Sequence, residues 1–340
     1  MKLKSVKLGF LIALFLLLTA CSSSDASGSE ANLSFSHFWP SHHIVQTDVI
    51  EKLQTTLDEE SDGNMKLEIY PTGQLGAPDE QYNLAVDGTA DISLSVHGYT
   101  PGIYPLTSVS DLPFISTSSE DGSKIMQTLY DEFPEIQAEH DDVHPLWLFT
   151  GEPNQILSAS KPVKSLKDLK GLKVRSPSTQ MNAALEALGA VPVSMPVNDI
   201  YESLNKGVID AAMAGVSTIN DMKLYEVVDY ITITNISSSS MFTVMNKDSY
   251  ASLSDDNKEI LNKFATTGAV ETGKALDAGG QAGLDKAKEE GIEIIELSDD
   301  EIARWTDVVN PVIKSWIKEM EDKGLPGQAI YDRAKELGSN

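Results

Sequence analysis

The chain has 340 residues, with 26 basic against 51 acidic side chains and a formal net charge of -25. Such a balance repels nucleic acid and anionic lipid surfaces, so an anionic ligand would need positive charge concentrated at one point. The single cysteine, Cys21, excludes an intrachain disulfide, and the length suits two ordinary domains.

At the start, Lys2, Lys4 and Lys7 precede an apolar run from Phe10 to Leu18, followed by Thr19, Ala20 and Cys21. The run is too short for a stable bilayer span, and the pattern predicts a cleaved signal peptide over residues 1–20. Leu18-Thr19-Ala20-Cys21 resembles a bacterial lipobox, which would make Cys21 the lipidated first residue of the mature chain. Without the leader's lysines, 23 basic residues face 51 acidic ones, a balance of -28. Residues 21–31 are dominated by serine, with glycine and acids, and predict a flexible tether.

Beyond the tether, short strand patterns alternate with helical ones. Leu33 and Phe35 alternate with polar neighbours as a first strand, then Val45, Val49, Ile50, Leu53 and Leu57 recur at helical spacing. Met65, Leu67 and Ile69 predict a second strand ending at Pro71-Thr72-Gly73, and a polar helix follows around Asp79–Val86. Ala90, Ile92, Leu94 and Val96 alternate again, and a helix is expected from about Asp121 to Tyr130. Leu146-Trp147-Leu148-Phe149 reads as a strand covered on both faces. The second half repeats the rhythm, with a capping box at Ser165-x-x-Asp168, strands at Leu172–Val174, Val191–Val193 and Val208–Met213, and helices at Thr179–Leu188 and after Asp199. The alternation predicts an α/β fold with mainly parallel sheets. Asp255 to about Glu290 is almost purely helical, a strand follows at Ile292–Leu297, and Ser298-x-x-Glu301 caps a last long helix that Pro311 should kink. Its Ile302, Trp305, Val309, Val312 and Trp316 fall three or four residues apart and read as core.

Enzymatic constellations are missing: no nucleophile elbow, no His-Glu-x-x-His, no phosphate-cradling glycine loop and no nucleophilic cysteine. The reading is a binding protein, not an enzyme, with no cofactor and no metal. His37, His42, His43 and His97 leave a zinc site as the alternative, although their spacing matches no closed metal site. Arginine is scarce: Arg175, Arg304 and Arg333 are the whole complement. The last two fall on polar helix faces, where solvated charges are expected. Arg175 ends a strand, and Pro177 keeps the chain extended beyond it. Ligands of open α/β sheets bind at the carboxyl ends of strands. A planar, permanently charged fork at that place suits a carboxylate, the competing reading being a salt bridge between lobes.

At this point the sequence resembles the DctP-type solute-binding proteins of TRAP (tripartite ATP-independent periplasmic) transporters. The likeness runs over Met65–Gly76, with its Gly73-Gln74-Leu75-Gly76, and over Asp87-Gly88-Thr89-Ala90-Asp91-Ile92 and Leu112-Pro113-Phe114. It continues through Ser165–Arg175, Gly189–Val193, Tyr201–Asp210 and Tyr225–Tyr230. The resemblance implies a two-lobed periplasmic-binding-protein-like (Venus flytrap) fold with a long helix spanning both lobes. One lobe would comprise about residues 32–152 plus 241–280, the other 153–240 plus 281–340. Arg175 falls on the family's arginine that salt-bridges the substrate carboxylate. The chain departs from the family at Ala211-Ala212-Met213-Ala214-Gly215-Val216-Ser217, where a polar ligand contact is absent or moved to Ser217. It also lacks the second arginine of sialate-binding members, since Gly151-Glu152-Pro153-Asn154-Gln155 stands there, leaving Asn154 as a neutral donor.

The remaining wall is expected from strand ends: Trp39 and His42 after the first strand, Tyr99 after another, Trp147 before the crossover and Phe242 near the return crossing. The implied partners are a small organic acid, the TRAP integral membrane subunits, and the membrane through the lipid anchor, with the receptor a monomer that binds no nucleic acid. A sensory co-receptor built on the same lobes is a further alternative.

Overall fold

A computed structural model describes residues 30–338; the expected signal peptide, Cys21 and nearly all of the expected tether lie outside them, while Ala31, expected as the tether's last residue, opens the first strand. In chain order, β1 (Ala31–His37), β2 (Met65–Tyr70), β3 (Ile92–Val96) and β4 (His144–Thr150) belong to a first sheet. Strands β5 (Gln155–Ser158), β6 (Lys173–Ser176), β7 (Val191–Ser194), β8 (Ala211–Ala214) and β9 (Tyr230–Ile233) belong to a second. Then β10 (Ser240–Met245) returns to the first sheet and β11 (Glu293–Glu296) joins the second. The strand orders are β2-β1-β3-β10-β4 and β11-β9-β5-β8-β6-β7. Each sheet is parallel except for one strand, β10 in the first and β5 in the second. These two strands follow the short crossings from β4 and from β9 and run antiparallel to their new neighbours, whereas β11, reached through a long helix, enters parallel. This is the two-lobed α/β fold expected from the sequence.

Local signals place most elements. Ser118, Ser178, Ser254 and Ser298 each accept a backbone N–H from three residues on, closing the first turns of four helices. The box at Ser165 works differently: Ser165 Oγ and the Lys164 N–H both donate to Asp168, which leaves Ser165 without a capping acceptor role. Val208–Asp210, expected within a strand, precede β8 as an irregular segment.

The long helix Asp255–Glu289 spans 35 residues, about 52 Å at 1.5 Å per residue. It packs on β4 and the helix Ser119–Glu132 of the first lobe and on the helix Thr218–Asp221 of the second. Glycines let the partners come close. A Cβ at Gly268 would stand 2.6 Å from the Trp147 ring, and one at Gly283 would stand 2.2 Å from the Val216 carbonyl oxygen. The Asp277 carboxylate accepts the Ser119 and Glu120 N–H groups at 2.7 and 3.0 Å, tying the two helices together.

The span 281–340, expected wholly in the second lobe, divides. Trp305 and Val309 pack with Val174, Leu185 and Met213 of the second lobe. Trp316 and Met320, on the same helix Asp299–Asp322, pack with Leu106, Val109 and Leu129 of the first, joined by Ile330 and Ala334 of the helix Gly327–Leu337. The physical reason is length: a helix of about 36 Å with one apolar stripe outruns a single lobe, so the stripe is covered by both. The helix continues through Pro311, which lies between its two halves. Two helices thus cross between the lobes.

Candidate functional site

Between the sheets lies an open-mouthed cleft of about 580 Å³. Its lining comes from the chain just beyond the carboxyl ends of parallel strands: Phe38 and Trp39 after β1, Tyr99 after β3, Glu152 and Asn154 after β4, Pro177 after β6 and Ser217 after β8. Antiparallel β10 contributes its opposite end, Met241, at the same edge. Strand ends converge here because their last carbonyls and side chains have no further sheet neighbour to meet.

Arg175 is third of the four residues of β6 and only 3% exposed. Its guanidinium lies across the sheet edge, donating from Nε to the Met195 carbonyl at 2.9 Å and from Nη1 to the Met213 carbonyl at 2.8 Å. Nη2 donates to the Tyr99 hydroxyl at 3.0 Å. All three acceptors are neutral, and among the described residues no acid lies within ion-pair distance of Arg175. The interlobe salt bridge weighed as the competing reading is therefore not formed. Of the five N–H groups of the fork two remain for a ligand. Burial lowers the arginine's pKa from its ordinary value, but the group keeps its charge.

Tyr99 belongs to the first lobe and joins it to the second. Its hydroxyl oxygen accepts the Arg175 Nη2 bond and also the Val197 N–H at 3.0 Å. With both lone pairs engaged, its O–H proton is left as a donor beside the guanidinium. Asn198 adds a second interlobe bond, to the Phe38 carbonyl at 3.2 Å.

Aromatic rings form one wall. Phe38 and Trp39 lie 5.0 Å apart, Tyr99 meets Phe38 edge-on at 6.1 Å, and Trp39 stacks on His43 at 4.2 Å with the planes only 5° apart. Val45 N–H donates to His43 Nδ1, so the ring proton sits on Nε2 and points to Asp221 at 3.5 Å. Burial dominates both partners and drives each toward its neutral form: His43 is held down at about 3 and Asp221 is pushed up to about 6. The floor is apolar, with Met222, Met241 and Leu276.

Glu152 is the group the sequence reading passed over. It is 8% exposed, accepts the Ser217 N–H at 3.1 and 3.3 Å on its two oxygens, and has its pKa raised to about 7 by burial. Asn154 gives one amide N–H to Ser237 at 3.4 Å.

Of the residues expected in the wall, Arg175, Trp39, Tyr99, Asn154 and Ser217 line the cleft. Three do not. His42 is exposed, and its neighbour His43 turns inward in its place. Phe242 is fully buried on the opposite face of β10, among Tyr82, His97 and Tyr104, and alternation gives the cleft to Met241 instead. Trp147 packs against Phe264 and Gly268 of the long helix. The remaining two arginines, expected as solvated charges, are paired: Arg304 with Glu301 at 2.7 Å, and Arg333 with Glu132 and Glu336 at 2.8 Å each. Among the described residues no cluster of three metal-ligating side chains forms. His37 meets Gln46 at 3.0 Å and His97 meets His140 at 3.1 Å, so the histidines considered for zinc are dispersed.

A two-lobed α/β body with one cleft at its strand ends, walled by rings and holding a buried unpaired arginine, is the architecture of a soluble-ligand receptor. The comparisons make the class specific: a profile for the bacterial extracellular solute-binding proteins, family 7 (DctP) matches residues 35–319, and the chain belongs to that family. It is a TRAP solute-binding protein, a family of receptors and not of enzymes. The chain is 27% identical to the 2,3-diketo-L-gulonate-binding periplasmic protein of Escherichia coli, covering 87% of this chain and 88% of that one. A marine metagenome TRAP protein specific for aromatic acid ligands, solved with metahydroxyphenylacetate, superposes with a TM-score of 0.87 at 30% identity, covering 91% of this chain and 99% of that one. A Rhodoferax ferrireducens TRAP protein with copurified benzoate gives 0.86 at 28% identity, covering 91% and 98%.

Proposed function

We propose that this receptor captures a small monocarboxylate with an apolar, preferably aromatic, body. The ligand's carboxylate takes the two free N–H groups of Arg175 and the O–H of Tyr99, and its body lies against Phe38, Trp39 and Met241. The observation that carries this reading is Arg175 itself, a buried cation whose every partner is a neutral oxygen. Leaving a charge in that state costs free energy that a bound anion restores. The aromatic wall and the aromatic acids held by similar proteins support the nature of the body. In the envelope, Cys21 carries the lipid, the serine-rich residues that follow it give the body reach, and a monomeric receptor passes its ligand to the TRAP membrane subunits. Among the described residues no helix is long and apolar enough to cross a membrane.

Native mass spectrometry of purified protein, followed by a thermal-shift panel of organic acids, tests the reading. Aromatic monocarboxylates should raise the melting temperature most. A panel in which only uncharged sugars or amines stabilise the protein would refute it. Metabolic labelling with a fatty-acid analogue should mark the wild type and leave Cys21→Ala unlabelled.

A further inference from the structure

The cleft holds a second buried ionisable group, an acid facing the same space as Arg175 and equally without an ion-pair partner among the described residues. Glu152 is not a stray surface acid that happens to point inward. Two segments are shaped around it. A Cβ at Gly215, beyond β8, would stand 2.5 Å from Glu152 Cγ and Cδ, and one at Gly280, on the long helix, would stand 2.6 Å from Oε2. The Ser217 N–H then fixes the carboxylate, donating to its oxygens at 3.1 and 3.3 Å. The other ionisable groups that line the cleft are Asp221, His43, Tyr99 and Arg175, and the only cation among them, Arg175, is bonded elsewhere. A carboxylate in this state costs free energy unless something meets it, and a second anion brought against it and Asp221 would meet like charge.

We infer that Glu152 is a specificity-determining residue: while Arg175 holds the ligand's carboxylate, Glu152 accepts a hydrogen bond from an O–H or N–H group elsewhere on the same ligand. The cleft then selects acids that carry a donor and rejects dicarboxylates. This rests on the carboxylate reading above and adds the ligand's other end. A site built to pair a buried polar group discriminates strongly against an analogue that leaves it unpaired. Burial, which moves the Glu152 pKa to about 7, lets the same group meet a hydroxyl or an ammonium.

The test is calorimetry on the mature chain with acids matched in shape: benzoate, 3-hydroxybenzoate, 3-(aminomethyl)benzoate and isophthalate, and the same series on a propanoate body. The wild type should bind a donor-bearing acid at least ten times more tightly than the plain acid, and the dicarboxylate more weakly than either. Which donor gains more, hydroxyl or ammonium, tells the neutral ligand end from the cationic one. In Glu152→Gln the ammonium's gain and the dicarboxylate's penalty should both shrink to threefold or less. Plain acids binding as well as donor-bearing ones, or isophthalate binding best, would overturn the role of Glu152 and leave the carboxylate site standing. Failure of every acid on both bodies would remove the carboxylate reading itself, and this inference with it. Should Glu152→Gln not fold, the wild-type rank order decides, with Glu152→Asp as the second variant expected to lose the donor's gain.

Discussion

Two regions of this molecule treat charge in opposite ways. At the C-terminal clamp, Arg333 grips Glu132 through two bonds of 2.8 Å and reaches Glu336 as well, all three side chains being partly in water. In the cleft, Arg175 and Glu152 are nearly sealed from solvent, yet among the described residues neither forms an ion pair with the other or with any other group. The clamp is complete as it stands and serves the fold. The cleft is complete only when something else arrives, and the price of holding charges there unpaired is what a ligand repays.

Substitutions should separate the regions. The largest effect belongs to Arg175→Met, which removes two charge-assisted bonds to the ligand of about 1.5–3 kcal/mol each. Carboxylate affinity should fall by roughly 100-fold or more in calorimetry, with the circular dichroism spectrum unchanged; retained affinity would end the contrast. Next comes the stability of Glu152→Gln. The wild-type carboxyl has a folded pKa of about 7 against an ordinary 4.5, so its favourable contribution is full below pH 4.5 and is lost as pH rises through 7. The variant does not titrate. Its unfolding free energy should therefore gain on the wild type across that window, by on the order of 2–3 kcal/mol, and a difference independent of pH would contradict the burial argument. A smaller effect is expected of Tyr99→Phe, which removes one donor and the acceptor shared by Arg175 and Val197. Affinity should drop about tenfold, read as faster ligand dissociation. Smallest is Arg333→Ala, since partly exposed pairs are worth about 1 kcal/mol or less. It should lower the melting temperature slightly and leave ligand binding untouched.

How much of this was legible beforehand follows the same division. Arg175 could be read because arginine is rare in the chain and a strand followed by Ser176-Pro177 fixes where it ends. Tyr99, Trp39, Asn154 and Ser217 follow from the rule that strand ends line clefts. His42 and His43 could not be told apart, since one residue of turn geometry, the Val45 N–H donated to His43, decides which ring faces inward. Phe242 was lost to a slip of one residue along β10, where the two faces alternate and an aromatic is equally at home in the core. Trp147 needed knowledge of where the long helix runs. Glu152 was hidden by abundance: among 51 acids, nothing local marks the one that two distant glycines make room for. The C-terminal helices crossed to the first lobe because an apolar stripe says that a face is covered, not by what.

The close passage of the long helix carries a further meaning. At Gly283 the chain leaves no room for even one methyl group, and the carbonyl that would be struck belongs to Val216, next to the Ser217 amide that steadies Glu152. A helix of nearly ten turns is thus laid against the loop beyond β8, its bare notch allowing the loop's backbone to lie directly on it. The position of that loop is thus set partly by an atom that is not there, on a residue outside the cleft lining.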